Sequence, residues 1–158
     1  MDSIKNISII YNNPFIFSPL FVEFYSNIPQ KEKNILLSYL VLPLTLYHPS
    51  QLAIKNSQAG SRSTIYSVFS ERKTEERVFG LEERIKSYKS LTNDSLQYAI
   101  TSGMLVLNDN LSISVKNSKI ANKKLCQKDA LIAAKKLGLL FAQYEIPTCY
   151  GILGVKEI

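Results

Sequence analysis

One histidine and two cysteines are all that this 158-residue chain offers of the residues most used for metal binding and nucleophilic catalysis. A structural zinc site takes about four closely spaced ligands, so the count disfavours one. Cys126 and Cys149 have 22 residues between them and no cysteine or histidine beside them. In a reducing compartment they read as small, partly buried hydrophobes without a disulfide. Any Ser-His-Asp or Cys-His arrangement must pass through His48, which stands directly before Pro49, and no GxSxG elbow occurs. His48 is therefore assigned to a turn or to packing. Neither GxGxxG nor GxxxxGK[ST] is present, which argues against nucleotide binding, and nothing calls for a cofactor. Gly151-Ile152-Leu153-Gly154 has the GxxG spacing of one class of RNA binders, but its flanks are apolar and not basic. No basic region leads into an apolar stretch and a small-residue cleavage site, so the expected compartment is the cytoplasm.

What is present is a core. The apolar fraction of 46% is that of a globular protein. Its main run, Leu36 to Tyr47, is apolar on every side yet shorter than the roughly 20 residues that cross a bilayer, which predicts a buried central helix and no membrane partner. Pro43 lies inside it. A proline cannot bond to the carbonyl four residues back, here Tyr39, so the helix is expected to run to Leu42 and then bend or stop.

Along the chain, Ile4 to Tyr11 form a short apolar lead, read as extended. Asn13-Pro14 and Ser18-Pro19 are two helix-start signals, which suggest a turn at 14–17 and a helix from 19 to about 27, closed by Pro29. His48-Pro49 closes the apolar run, and 50–61 reads as a surface connection. A short helix follows over 63–72, then an amphipathic helix over 74–91 with Val78, Leu81, Ile85 and Tyr88 in one stripe. Thr92 and Asn93 look like caps that open a second helix ending at Gly103. Met104 to Val115, turning at Asn108-Asp109-Asn110, has hairpin patterning. The last helix runs over 127–144 and stops at Pro147, ahead of an apolar tail of Thr148 to Val155. The reading is mainly α with a small β-hairpin: one domain over 1–158, with a helical part at 1–60 packed on a winged-helix-like part at 61–158. Glu75, Glu76, Glu82 and Glu83 are read as surface ion-pair partners of Arg72, Arg77 and Arg84.

Charge is concentrated. Lys116, Lys119, Lys123, Lys124, Lys128, Lys135 and Lys136, against the single acid Asp129, account for the whole net charge of +6. A field of one sign attracts phosphate backbones or acidic protein surfaces, and these seven lysines are the candidate contacts. A stand-alone winged-helix DNA binder is the alternative reading, although its recognition helix at 94–102 would carry Gln97 and no arginine or lysine. In the tail, Tyr150, Ile152, Leu153 and Val155 are candidates for a protein interface. The tail would be sticky if left exposed, so it is expected to dock on the core or on a partner.

The order of these motifs resembles the middle-component family of three-component ABC systems. The matching residues are Asn13-Pro14-Phe15, Tyr39 to Leu46 with Pro49, Ser63-Thr64-Ile65, the helix pair with its Gly103 hairpin, Lys135 to Gly138 with Phe141, and Gly151 to Val155. They cover nearly the whole chain. That family places histidine, lysine, proline, threonine and arginine where this chain has Tyr47, His48, Pro49, Ser50 and Gln51, a departure that argues further against histidine chemistry. The resemblance implies a non-enzymatic adaptor, encoded with an SMC-like ABC ATPase and an effector in systems that resemble the Lamassu class of anti-phage and anti-plasmid defence. Its implied partners are those two proteins, with non-specific DNA contact inside the complex and no small-molecule substrate.

Overall fold

The computed structural model describes residues 12–70 and 75–157. The extended lead at 4–11, Arg72 and Thr74 lie outside them. Helix α1 (Pro14–Tyr25) opens on Asn13, whose side chain accepts the Phe15 N–H at 2.9 Å, with Pro14 in the first turn. Pro19 lies inside this helix and does not start a second one. An interior proline costs about 3 kcal/mol. Leu20, Phe21 and Phe24, all fully buried, offset it at about 1.5–3 kcal/mol each.

The same balance decides the run around Pro43. A 3-10 turn (Asn34–Leu37) leads into α2 (Ser38–Thr45), which continues two residues past the proline, because Leu40, Val41, Leu42 and Leu44 are all fully buried. The real break falls after Thr45. From there the backbone no longer supplies donors to the last carbonyls, and side chains replace them. Arg84 Nε donates to the Pro43 carbonyl at 3.3 Å, Ser50 Oγ to Leu44 at 2.7 Å and Gln51 Nε2 to Thr45 at 2.7 Å.

The expected surface connection after His48-Pro49 is instead helix α3 (His48–Asn56), with the proline as its start signal. Its buried face carries Ser50 and Gln51 beside Ile54, so polar residues that serve the α2 terminus hide the helical period. Helix α4 (Ile65–Phe69) has the reciprocal Thr64–Ser67 capping box, and α5 (Glu75–Val78) follows.

Helix α6 (Leu81–Thr101) is continuous through Thr92 and Asn93. The turn expected there is absent, because Leu91, Thr92, Ser95, Leu96 and Ala99 carry the buried stripe of Leu81 and Ile85 through the cap residues. The hairpin forms as expected, with β1 (Leu105–Leu107) antiparallel to β2 (Ile113–Val115) and Leu105 opposite Val115. Leu111 in its loop takes a left-handed backbone, φ 60°. The hairpin is bound back to the N-terminal part. Asn34 donates Nδ2 to the Ile113 carbonyl at 3.1 Å and accepts the Ile113 N–H on Oδ1 at 2.6 Å, and the Lys33 N–H reaches the Asn110 carbonyl at 3.0 Å. Among the described residues α6 has no turn at the place where the sequence reading set a helix-turn-helix, and Asn34 closes one edge of the hairpin.

Helix α7 (Lys128–Phe141) packs against α1 and α3, and α8 (Ile146–Ile152) against α4 and the 3-10 turn at Asn34–Leu37. One core cluster draws residues from both sides of position 60, from Leu20 and Leu42 to Phe141 and Val155. The described residues are mainly helical with a two-stranded sheet.

Candidate interaction surfaces

The lysine-rich segment begins after β2. Two 3-10 turns, Ser118–Ile120 and Lys123–Leu125, open on Asn117 and Asn122, whose side chains accept the Lys119 and Lys124 N–H groups at 3.1 and 3.2 Å. These local caps hold a non-periodic stretch against the body of the protein. Lys116, Lys119, Lys124, Lys128 and Lys135 are exposed, and none has an ion pair among the described residues. Lys128 and Lys135, seven apart on α7, share one helical stripe.

The other two lysines have structural partners. Lys123 Nζ lies 2.5 Å from Glu23. Lys136 Nζ donates to the carbonyls of Lys55 at 2.5 Å and Ser57 at 2.7 Å, closing the C-terminal end of α3. Asp129 is paired with Lys55 at 2.9 Å. Internal pairing thus occupies Glu23 and Asp129 and leaves the other five lysines exposed without an ion pair among the described residues.

Two residues that sequence reasoning passed over stand among those lysines. Ile120 is 48% exposed and Leu125 55%. The signal was their isolation, two aliphatics in a run without period. Leu125 also lines an apolar groove of about 590 Å³ with Ile16, Phe17, Leu46, Tyr88 and Ala130.

The C-terminal candidates lie elsewhere. Tyr150, Leu153 and Val155 are buried in the chain's own core, with the Tyr150 hydroxyl donating to the Leu36 carbonyl. The tail docks on the core, and only Ile152 of the four keeps partial exposure. A charge placed there would report folding before association.

His48 opens α3 on a groove of about 630 Å³ that also holds Ser63, Ser67, Glu76 and Arg77. Arg77 Nη1 donates to the Val68 carbonyl at 2.6 Å, and His48 makes no side-chain hydrogen bond among the described residues. Arg84 likewise serves backbone carbonyls, of Pro43 and Phe79, with its guanidinium 3.8 Å from the Tyr47 ring centre. The expected ion pairs of Arg77 and Arg84 are therefore replaced by caps on helix ends, where unpaired carbonyls compete for the same donors. Among the described residues no group of three or more His, Cys, Asp or Glu could hold a metal ion, and no helix is long and apolar enough to cross a membrane.

Both cysteines are free, Cys149 buried and Cys126 half-buried with its thiol on the Ile16 carbonyl. Burial pushes the Cys126 thiol up to about 11 and the Cys149 thiol up to about 12. The thiolate is the reactive form, and at pH 8 it falls to about one in a thousand or fewer. Ellman's reagent at pH 8 should therefore react slowly with the native chain and rapidly in denaturant. Fast labelling of either thiol in the folded protein would contradict this packing.

A family model described as ABC-three component (ABC-3C) system Middle Component 3 matches residues 1–157. Searches of the curated proteins and of the solved structures found no match. The matched span takes in the α2–α3 junction, the hairpin, α7 and the docked tail, the elements whose residues carried the resemblance in sequence. The chain belongs to the Middle Component 3 family of ABC-three component systems.

Proposed function

We propose that this chain is a non-enzymatic adaptor in a bacterial anti-phage or anti-plasmid defence complex, where it bridges an SMC-like ABC ATPase and an effector in the cytoplasm. The observation that carries the reading is the family match over residues 1–157, since a middle component acts through other proteins of its system. The surface supports it. Five outward lysines and the exposed Ile120 and Leu125 provide charge and apolar area without a neighbouring nucleophile–base pair among the described residues. The lysines would meet DNA or an acidic protein face inside the assembly, and either contact would weaken with salt.

The test is co-expression of the three neighbouring genes with an affinity tag on the ATPase. The expected result is that effector and this chain elute together with it, and that omitting this chain releases the effector. Retention of the effector without this chain would remove the bridging role.

A further inference from the structure

The groove beside Leu125 runs along part of the lysine-rich segment. The 3-10 turn Lys123–Leu125 and the start of α7 form one wall, so Lys124 and Lys128 flank the groove residues Leu125 and Gln127 in the chain. The opposite walls come from α1 with Ile16 and Phe17 and from α6 with Tyr88. The lining is more apolar than polar, and Leu125 stands 55% exposed at this surface. Glu23 is paired with Lys123 and Asp129 with Lys55, so neither of these acids neutralises the exposed lysines.

Deepening the adaptor reading above, on which it rests, we infer that this groove and its lysine rim hold an acidic segment of a partner protein that carries apolar side chains. Charge complementarity selects the acid, and the groove with Leu125 selects the apolar anchor. A nucleic acid fits less well. Residues 116–128 contain no arginine, so the lysine-rich segment offers no bidentate base recognition, and the groove's aromatics, Phe17 and Tyr88, are half-buried rather than presented as a stacking face. Phosphates have no use for the exposed Ile120 and Leu125 or for an apolar groove. The chain's own first eleven residues supply apolar side chains but, with one acid, Asp2, and one base, Lys5, no net charge to set against the lysines. A second copy would set one lysine face against another, which repels.

The experiment titrates the full chain against three labelled probes at physiological salt by fluorescence anisotropy: a Glu/Leu peptide with leucines at helical spacing, the same peptide with serine for every leucine, and a DNA duplex. The Glu/Leu peptide should bind best. Replacing its leucines, or introducing Leu125→Asp, should weaken binding roughly tenfold or more, as expected when burial of a leucine is lost. The double variant K124E/K128E should do the same. These three positions are exposed, so circular dichroism and thermal unfolding should match the parent chain. Equal binding of the serine peptide, equal or tighter binding of the duplex, insensitivity to Leu125→Asp, or dimerisation of the chain through this face would each overturn the inference. Its failure is separable from failure of the adaptor reading. If Leu125→Asp still bridges ATPase and effector in the co-expression assay, the adaptor stands and this surface is wrong. If the parent chain bridges nothing, the adaptor falls first.

Discussion

Gly138→Ala should destabilise the protein by about 3 kcal/mol, against the direction helix propensity gives. Gly138 lies inside α7, where alanine is ordinarily favoured by about 1 kcal/mol. The added methyl, however, would sit 2.5 Å from the Phe24 carbonyl oxygen and 3.1 Å from Asn27 Cβ. Its obstacle is backbone, so the clash cannot be relieved by a side-chain rotation and α7 must move off α1. That movement would loosen the contact of Phe24 and Phe141, whose ring centres are 6.0 Å apart. For a chain of this size the loss corresponds to a fall in Tm of about 10 °C. Gly151→Ala is the control. It is also helical, nothing lies within 4 Å of the added carbon, and it should be neutral or slightly stabilising. Urea unfolding of the two variants decides the matter. A Gly138→Ala protein as stable as its parent would mean that α1 and α7 do not approach this closely.

Asn34→Ala should be nearly as damaging. Asn34 is fully buried, and its amide makes both hydrogen bonds to Ile113 as a neighbouring strand would. Removing it leaves a buried N–H and a buried C=O without partners, at about 1–3 kcal/mol each, so a loss of about 3 kcal/mol is expected. The effect should be localised as well as global. Amide exchange at Ile113 should accelerate more than at the α7 core, because the hairpin loses its hold on the N-terminal part. If Ile113 keeps its protection and stability changes by less than about 1 kcal/mol, the clamp is not what holds the hairpin.

Some elements were legible because the local signal and the tertiary environment agree. Leu131, Ala134, Leu137 and Phe141 mark α7 by periodicity, and the helix spans Lys128–Phe141 within the expected 127–144. The turn Asn108-Asp109-Asn110 between two short strands behaves likewise. The resemblance carried by Asn13-Pro14-Phe15, Tyr39 to Leu46 and Gly151 to Val155 pointed to the family that the match over 1–157 shows. Other elements were misread because local rules were overruled. Pro19 and Pro43 do not break their helices, since the apolar burial around each exceeds the cost of a lost hydrogen bond. Thr92-Asn93 cap nothing, since Thr92 lies within a buried stripe and Asn93 accepts the Tyr39 hydroxyl at 2.9 Å. Helix α3 was hidden because its inward polar residues serve carbonyls of a neighbouring helix, and no periodicity rule registers that.

The candidate surface divides in the same way. The concentration of charge between Lys116 and Lys136 was plain from composition. Which lysines face outward was not, because Lys123 and Lys136 found partners on α1 and α3, far away in sequence. By itself the sequence determined the helix-rich class, the hairpin and the place of the charge, since these follow from residue types at short spacing, while the order of motifs along the chain carried the resemblance to the family. Only the tertiary structure decided that the tail is core, that α6 is unbroken, and that Leu125 edges a groove. Those outcomes turn on which distant carbonyl, carboxylate or apolar face each side chain reaches, and short-range spacing carries no such information.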